Sequence, residues 1–336
     1  MFFKNQRIGK YQILDTIGTG GFGSVYLAKD VLIDKRVAIK VPHKQGDDLE
    51  KLLREPRLLA ALEHPNIVSV ITAETSNDVF YIVMEYVDGT SLERYLREHQ
   101  LVPVSTALDW FIVLGRAIAF AHERDILHRD IRPANVLLSK EGALKLADLG
   151  TSRYMEDHPH ASTRIGSPPY MAPEHFRGKA TFQSDIYSFG VLMYECLTGR
   201  LPFFDKDPRR LARMAWENAP VPAEQHNTSI PHDLSLIVSK AMHRLLSSRF
   251  QTMEGLLQDL ERVGRFQEAP VEASPTAVVP KTEPAFVPNS PSPSPKVKVG
   301  STRDFSRELS DLFCWNCSRP VQRRTHVCPH CNVSLR

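Results

Sequence analysis

Apolar and polar positions alternate through the first eighty or so residues, and the spacing then lengthens to that of helices. Runs rich in β-branched and aromatic residues predict strands: YQILDTIG at 11–18, SVYLAK at 24–29, RVAIKV at 36–41, VSVITAE at 68–74 and VFYIVMEYV at 79–87. Only one clear helical stretch interrupts them, from about Asp48 to Leu62. From Ser91 onward long amphipathic patterns dominate. Strands first and helices after predict an α+β chain with two unlike lobes and a cleft between them. The longest apolar run, Phe111 to Ala121, is broken by Arg116, so it predicts a buried helix and no membrane span.

Composition shifts after about residue 264. Residues 267–300 hold eight prolines among Ser, Thr, Ala and Val, too little apolar surface to fold, so a disordered linker is expected over 265–302. Beyond it, STRDFSRELSDLF places Phe305, Leu309, Leu312 and Phe313 on one helical face, with Ser301 as its cap. The expected divisions are an N-terminal extension at 1–10, a main domain at 11–264, the linker, and a small module at 303–336.

The 336 residues are 42% hydrophobic and 24% charged, values of an ordinary soluble globular protein. A net charge of +3 is too small to make nucleic acid the main partner. MFFKNQRIGKYQ lacks the apolar core of a signal peptide, so the expected compartment is the cytoplasm. Of five cysteines, Cys196 sits in the apolar run SFGVLMYECLTG and is expected to be a buried, inert thiol. The other four form Cys314-x2-Cys317-x10-Cys328-x2-Cys331, metal-ligand spacing for a structural Zn²⁺. An iron site and disulfides are the alternatives. Arg319, Arg323, Arg324 and Arg336, with no acidic residue from 314 onward, would suit a protein or nucleic-acid partner.

Ile17 to Val25 contains G-x-G-x-x-G-x-V, whose glycines let backbone N–H groups approach phosphate oxygens. Alone it also fits a dinucleotide fingerprint or a plain hairpin. The next predicted elements are strands, the second carrying Val37-Ala-Ile-Lys40, and no helix intervenes, which disfavours the dinucleotide alternative. Glu55 lies in the helical stretch as a partner for Lys40. Then come His128-Arg-Asp130, Asn135, Asp148-Leu-Gly150, Ala172-Pro-Glu174 and Asp185-Ile-Tyr-Ser-Phe-Gly190, in order and at suitable spacings.

From about residue 11 to 262 these elements resemble a Hanks-type, eukaryotic-like Ser/Thr protein kinase of the bacterial kind, here followed by a zinc-ribbon module. The resemblance implies a two-lobed kinase fold, β-rich then α-helical, with ATP and Mg²⁺ (or Mn²⁺) as cofactors and protein Ser/Thr hydroxyls as substrate. It implies that Ile17, Gly18, Thr19, Gly20, Gly21, Phe22, Gly23, Ser24 and Val25 cover ATP. Lys40, oriented by Glu55, would hold its phosphates, and Glu85 and Val87 would meet adenine behind Met84. Asp130 would accept the substrate proton, while Asn135 and Asp148 would ligate Mg²⁺. Val70, Leu59, Leu149 and His128 resemble the apolar spine between the lobes, and Arg249 the buried partner of Glu174. Arg129 would receive an activation loop phosphorylated at Ser162 or Thr163.

The chain departs from the family pattern at four places. Arg132 stands where Lys is usual and keeps a cation beside the transferred phosphate. Ser167 stands for a Thr whose hydroxyl contacts the catalytic Asp, Leu149 replaces Phe, and Pro56 follows Glu55 and is expected to bend the helix. Ser/Thr specificity is expected from Pro133 and the GSPPYMAPE loop. The alternative for the whole chain is a weakly active or inactive kinase-fold scaffold acting through its ribbon.

Overall fold

The computed structural model describes residues 2–20, 23–43, 45, 49–60, 62–148, 167–268, 312–313 and 320–321. At Leu49, Lys51, Arg54, Glu55, Leu58, residues 265–268 and the four tail residues, the backbone alone is described. The chain divides into two compact units, Met1–Glu272 and Ala273–Arg336.

The first lobe is an antiparallel sheet of β1 (Arg7–Ile8), β2 (Tyr11–Gly20), β3 (Gly23–Asp30), β4 (Lys35–Pro42), β5 (Val70–Ser76) and β6 (Val79–Glu85), in the order β1-β2-β3-β4-β6-β5. β6 reads as an unbroken apolar run because both its faces are covered. Tyr81 and Val83 pack with Ile13, Tyr26 and Ile39, while Phe80, Ile82 and Met84 pack with Ala38 and with Leu52 of α1 (Leu49–Ala60). β1 falls within the expected extension 1–10, yet it pairs with β2 and buries Ile8. α1 continues across Pro56 to Ala60.

The second lobe is helical: α2 (Leu92–His99), α3 (Val104–His122), α4 (Phe182–Thr198), α5 (Pro208–Glu217), α6 (Ala223–His226), α7 (His232–Ala241) and α8 (Met253–Glu268). A small sheet of β7 (Gly89–Ser91), β8 (Val136–Ser139) and β9 (Leu144–Leu146) joins it to the first lobe, where Val68 N–H donates to the Leu146 carbonyl. The Ser91 side chain caps α2, and a Thr181/Ser184 capping box starts α4. α3, with a mean hydropathy of 1.5 over 18 residues, is long and apolar enough to cross a membrane by length and composition. Its Leu108, Phe111, Leu114 and Ile118 are buried in the lobe core, and its Arg116 pairs with Glu261 at 2.6 Å. At Gly115 of α3 a side chain would run into Leu257, so the glycine sets how closely α8 approaches.

Cys196 is buried in the same core, and burial pushes its thiol well above the ordinary cysteine range, as expected of an inert residue. In the second unit β10 (Leu312–Phe313) pairs antiparallel with β11 (Pro320–Val321). This corrects the helical expectation at Leu312 and Phe313. A short isolated helix gains no packed face there, whereas the strand pair gives both residues backbone partners across the segment that carries Cys314 and Cys317. Ser301, Phe305, Leu309 and residues 269–302 lie outside the described residues.

Candidate active site

The loop His128–Asn135 hangs from one carboxylate. Asp185, in the first turn of α4 and fully buried, accepts the N–H of His128 and the N–H of Arg129, each at 2.8 Å. His122 of α3 meets the same group at 2.9 Å. Burial alone would raise the Asp185 carboxyl, but His122 and the backbone donors outweigh it and hold the acid below its usual range. This anchorage lets Arg129 keep a left-handed φ of 66°, uncommon for a residue with a side chain. His128 spends both ring nitrogens on backbone: Nδ1 accepts from Asp130 N at 3.3 Å, so Nε2–H donates to the Ala147 carbonyl at 3.1 Å.

Asp130 is held from two sides. Its Oδ2 accepts from the Asn135 side-chain amide at 2.9 Å, and its Oδ1 from the backbone N–H of Ser167 at 3.2 Å. The amide also donates to the Asp130 carbonyl at 2.8 Å. The Ser167 contact is therefore made by its backbone rather than by the expected hydroxyl, which makes Ser in place of Thr cost little there. Arg132 turns its Nε to within 3.3 Å of Asp130 Oδ2, too poorly aligned for a hydrogen bond. Sequence placed this cation toward the transferred phosphate; its neighbour here is the Asp130 carboxylate.

Lys40, on β4, reaches across the cleft and donates to Asp148 Oδ1 at 3.0 Å. Ala147 N–H donates to the Asn135 carbonyl at 2.8 Å, so the chain carrying Asp148 is stitched to the loop carrying Asp130. Burial would raise the Asp148 carboxyl, but the Lys40 ammonium, with His128 and Arg132 beyond it, holds it below the ordinary range. Asp148 has φ 59° and keeps 38% of its side chain exposed. Glu55 falls in α1, and its side chain lies outside the described residues, as do Gly21, Phe22, Leu149, Ser162, Thr163 and all four tail cysteines.

Gly18, Gly20 and Gly23 line the turn of the β2–β3 hairpin, where Gly20 pairs with Gly23 and Thr19 with Ser24. Ile17 is exposed, and Val25 pairs with Gly18. A side chain at Gly23 would collide with the Val41 carbonyl of β4, whereas nothing lies within 4 Å of where a Gly20 side chain would start. The protein itself thus demands glycine at 23, and the freedom at 20 faces open space. Glu85 ends β6, with its carboxylate bonded to Ser69 N and to Lys145, each at 2.8 Å, and Val87 comes two residues later in the crossing to the second lobe. Leu59 and Val70 line one cavity of about 450 Å³ behind the lobes, with Leu62, His64 and Lys145.

Glu174 and Arg249 meet as anticipated. Arg249 Nη1 and Nη2 bond the two carboxylate oxygens at 2.7 and 3.2 Å, and Nη1 and Nε also donate to the carbonyls of Gln183 and His243.

Residues 11–260 match the family model of the protein kinase domain. The chain belongs to this family. Its kinase domain is similar to the serine/threonine-protein kinase PrkC of Bacillus subtilis, at 35% identity over 260 residues, covering 75% of this chain and 40% of the relative. PknB of Mycobacterium leprae is 35% identical over 275 residues, covering 78% and 44%. PksC of Streptomyces coelicolor is 33% identical over 289 residues, covering 81% and 51%. The chain spans about half the length of these relatives or less. Within the kinase domain the two-lobed architecture and the cleft between the lobes follow the family pattern.

Two features of the kinase site escaped the sequence. The Lys40–Asp148 bond spans 108 positions and carries no local signal. Asp185 was visible in the motif DIYSFG, but its task as anchor of the His128–Asn135 loop emerges only when α4 is placed beside that loop.

Proposed function

We propose that this chain is a Ser/Thr protein kinase, moving the γ-phosphoryl group of ATP to protein Ser/Thr hydroxyls and phosphorylating its own activation loop. The observation that carries the reading is the two-sided grip on Asp130: Asn135 on one oxygen and Ser167, on the segment leading to Ala172-Pro-Glu174, on the other. A base aimed in this way has lone pairs oriented for an incoming hydroxyl. Ser/Thr preference rests on the relatives' names, each a serine/threonine-protein kinase, and on Pro133 and GSPPYMAPE.

The donor set fits Mg·ATP. Asp148, held below the usual carboxylate range, stays ionised at neutral pH and offers a hard oxygen. The Asn135 amide nitrogen is spent on Asp130, which leaves its carbonyl oxygen for the cation. Mg²⁺ there would neutralise charge on the β- and γ-phosphates. Lys40 would move from Asp148 toward the α- and β-phosphates, and the open space over Gly20 admits phosphate oxygens against the backbone. Purified protein with labelled ATP should incorporate phosphate on Ser and Thr. Label on tyrosine alone, or undiminished labelling in Asp130→Ala, would sink the assignment.

One observation favours the second reading, a catalytically weak scaffold: the Arg132 guanidinium stands beside the base that must accept a proton. For the tail, the β10–β11 pair brackets Cys314 and Cys317, which supports a zinc ribbon held by Cys314, Cys317, Cys328 and Cys331 and serving as a docking module for a protein or nucleic-acid partner. A cytoplasmic kinase domain is the compartment this reading implies.

A further inference from the structure

His43 lies just past the end of β4, is exposed, and belongs to no motif. Its Nε2 lies 2.8 Å from the carbonyl oxygen of Gly20. A carbonyl only accepts, so the ring donates through Nε2–H. The contact crosses the end of β3. Gly23 pairs with Gly20 on one side and with Pro42 on the other, and having no side chain it leaves the imidazole room to pass.

The segment bearing His43 is itself fastened. Gln45 Oε1 accepts the Phe80 N–H at 2.7 Å, and its amide donates to the carbonyls of Phe80 at 3.2 Å and Pro42 at 2.6 Å. One side chain therefore completes the backbone pairing of β6 and fixes the base from which the ring projects. The outcome is a brace from the rigid sheet to the middle glycine of G-x-G-x-x-G.

We propose that His43 is a positioning residue for the nucleotide's phosphates, setting the height and tilt of the glycine loop through the Gly20 carbonyl. A peptide unit is planar, so a bond to the Gly20 carbonyl oxygen limits how the unit that begins at Gly20 can tilt. Nothing lies within 4 Å of where a Gly20 side chain would start, so no side-chain packing restrains that side. The pairing with Gly23 and the bond from His43 are the restraints on it. The inference rests on the reading of this loop as the cover of the ATP phosphates.

The test uses the full chain. Dissociation constants for ATP and for adenosine would be measured by calorimetry in the wild type, His43→Ala and His43→Gln, with steady-state kinetics alongside. His43→Ala should weaken ATP about 3- to 10-fold, the weight of one ordinary hydrogen bond, and raise KM more than it lowers kcat. Adenosine, which has no phosphates, should bind unchanged. His43→Gln, whose amide reaches a similar distance, should recover most of the loss. Unchanged ATP affinity in His43→Ala would overturn the proposal, as would an equal loss for adenosine or no recovery with Gln. Undiminished phosphate transfer in Asp130→Ala would instead overturn the kinase reading beneath it, so the two failures are distinguishable.

Discussion

Two ion pairs of similar length sit in this domain and do opposite things. Arg249–Glu174, at 2.7 Å, lies in the helical lobe with the arginine side chain wholly buried and the carboxylate 12% exposed. Lys40–Asp148, at 3.0 Å, bridges the cleft with the carboxylate 38% exposed. Arg249 makes four hydrogen bonds, to both carboxylate oxygens and two carbonyls, and Ser184 gives a further bond to Glu174 at 2.7 Å. Such a pair cannot open without stranding charge in the core. The cleft pair is less enclosed: Lys40 is buried, with 7% of its side chain exposed, but its partner carboxylate is open to water. One pair serves the fold, and the other, on the proposed reading, serves phosphate transfer.

The largest expected effect is on the cleft side. Lys40→Met or Asp148→Asn should lower the rate of phosphate transfer by about 10³-fold, the scale of removing a charge stabiliser from a reacting centre. The melting temperature should stay within about 3 °C of wild type, since the Asp148 carboxylate, 38% exposed, can take water when its partner is lost. A large loss of stability with the rate intact would erase the contrast.

Breaking the buried pair should do the reverse. Arg249→Met strands Glu174 and should cost about 3–5 kcal/mol in denaturant unfolding. Its pH dependence has a definite sign. Burial would raise the Glu174 carboxyl, but Arg249 and Ser184 outweigh it and hold it below its unfolded value. Its contribution is therefore complete above the unfolded glutamate pKa of about 4.3, and is lost as pH falls through the lower folded value. Glu195 is the counterexample within the same lobe. Burial, aided by nearby Glu93, raises its carboxyl despite the bond from the Tyr170 hydroxyl at 2.5 Å. It stabilises the fold at acid pH, and that contribution fades as pH rises through its folded value. Urea titrations from pH 3 to 8 should show Glu174→Gln flattening the limb below the unfolded glutamate pKa of about 4.3 and Glu195→Gln flattening the limb above it.

Much of this was legible in the sequence, and the legible parts share a cause. The strands of the first lobe announce themselves by runs of β-branched and aromatic residues, and Val37-Ala-Ile-Lys40 falls on β4 as the pattern required. The six chemical motifs come in order because each is local. What stayed hidden is made by parts distant in sequence. No spacing rule joins Lys40 to Asp148, or shows that Ser167 reaches Asp130 with its backbone. Leu312 and Phe313 misled for a simpler reason: two adjacent apolar residues fit a helical face and a strand equally well, and the partner strand, Pro320–Val321, starts with a proline that argues against pairing. His43 gave no signal at all.

Arg132 sharpens the contrast at smaller scale, because its neighbour is Asp130, the proposed base. Arg132→Ala should lower kcat by about 10²-fold if the guanidinium swings to the phosphate during transfer. Arg132→Lys should retain most of the rate. An Arg132→Ala enzyme as fast as wild type, or faster, would show that its contact with Asp130 only restrains the base. The smallest effect is expected from the tail. Ending the chain at Glu272, the boundary of the first compact unit, should leave melting and generic-peptide activity nearly unchanged. A chelator should unfold residues 303–336 while sparing the kinase domain.

The central claim is a division of labour between the two pairs, and one paired measurement tests it most directly. Phosphate transfer rate and melting temperature would be determined together for Lys40→Met and Arg249→Met, with labelled ATP and a generic Ser/Thr peptide. The account predicts that Lys40→Met loses about 10³-fold in rate at nearly wild-type melting temperature. It predicts that Arg249→Met melts far lower yet, at a temperature where it is still folded, transfers phosphate within about 10-fold of wild type, since Arg249 touches none of the reacting groups. Equal losses of rate and stability in both variants would contradict it.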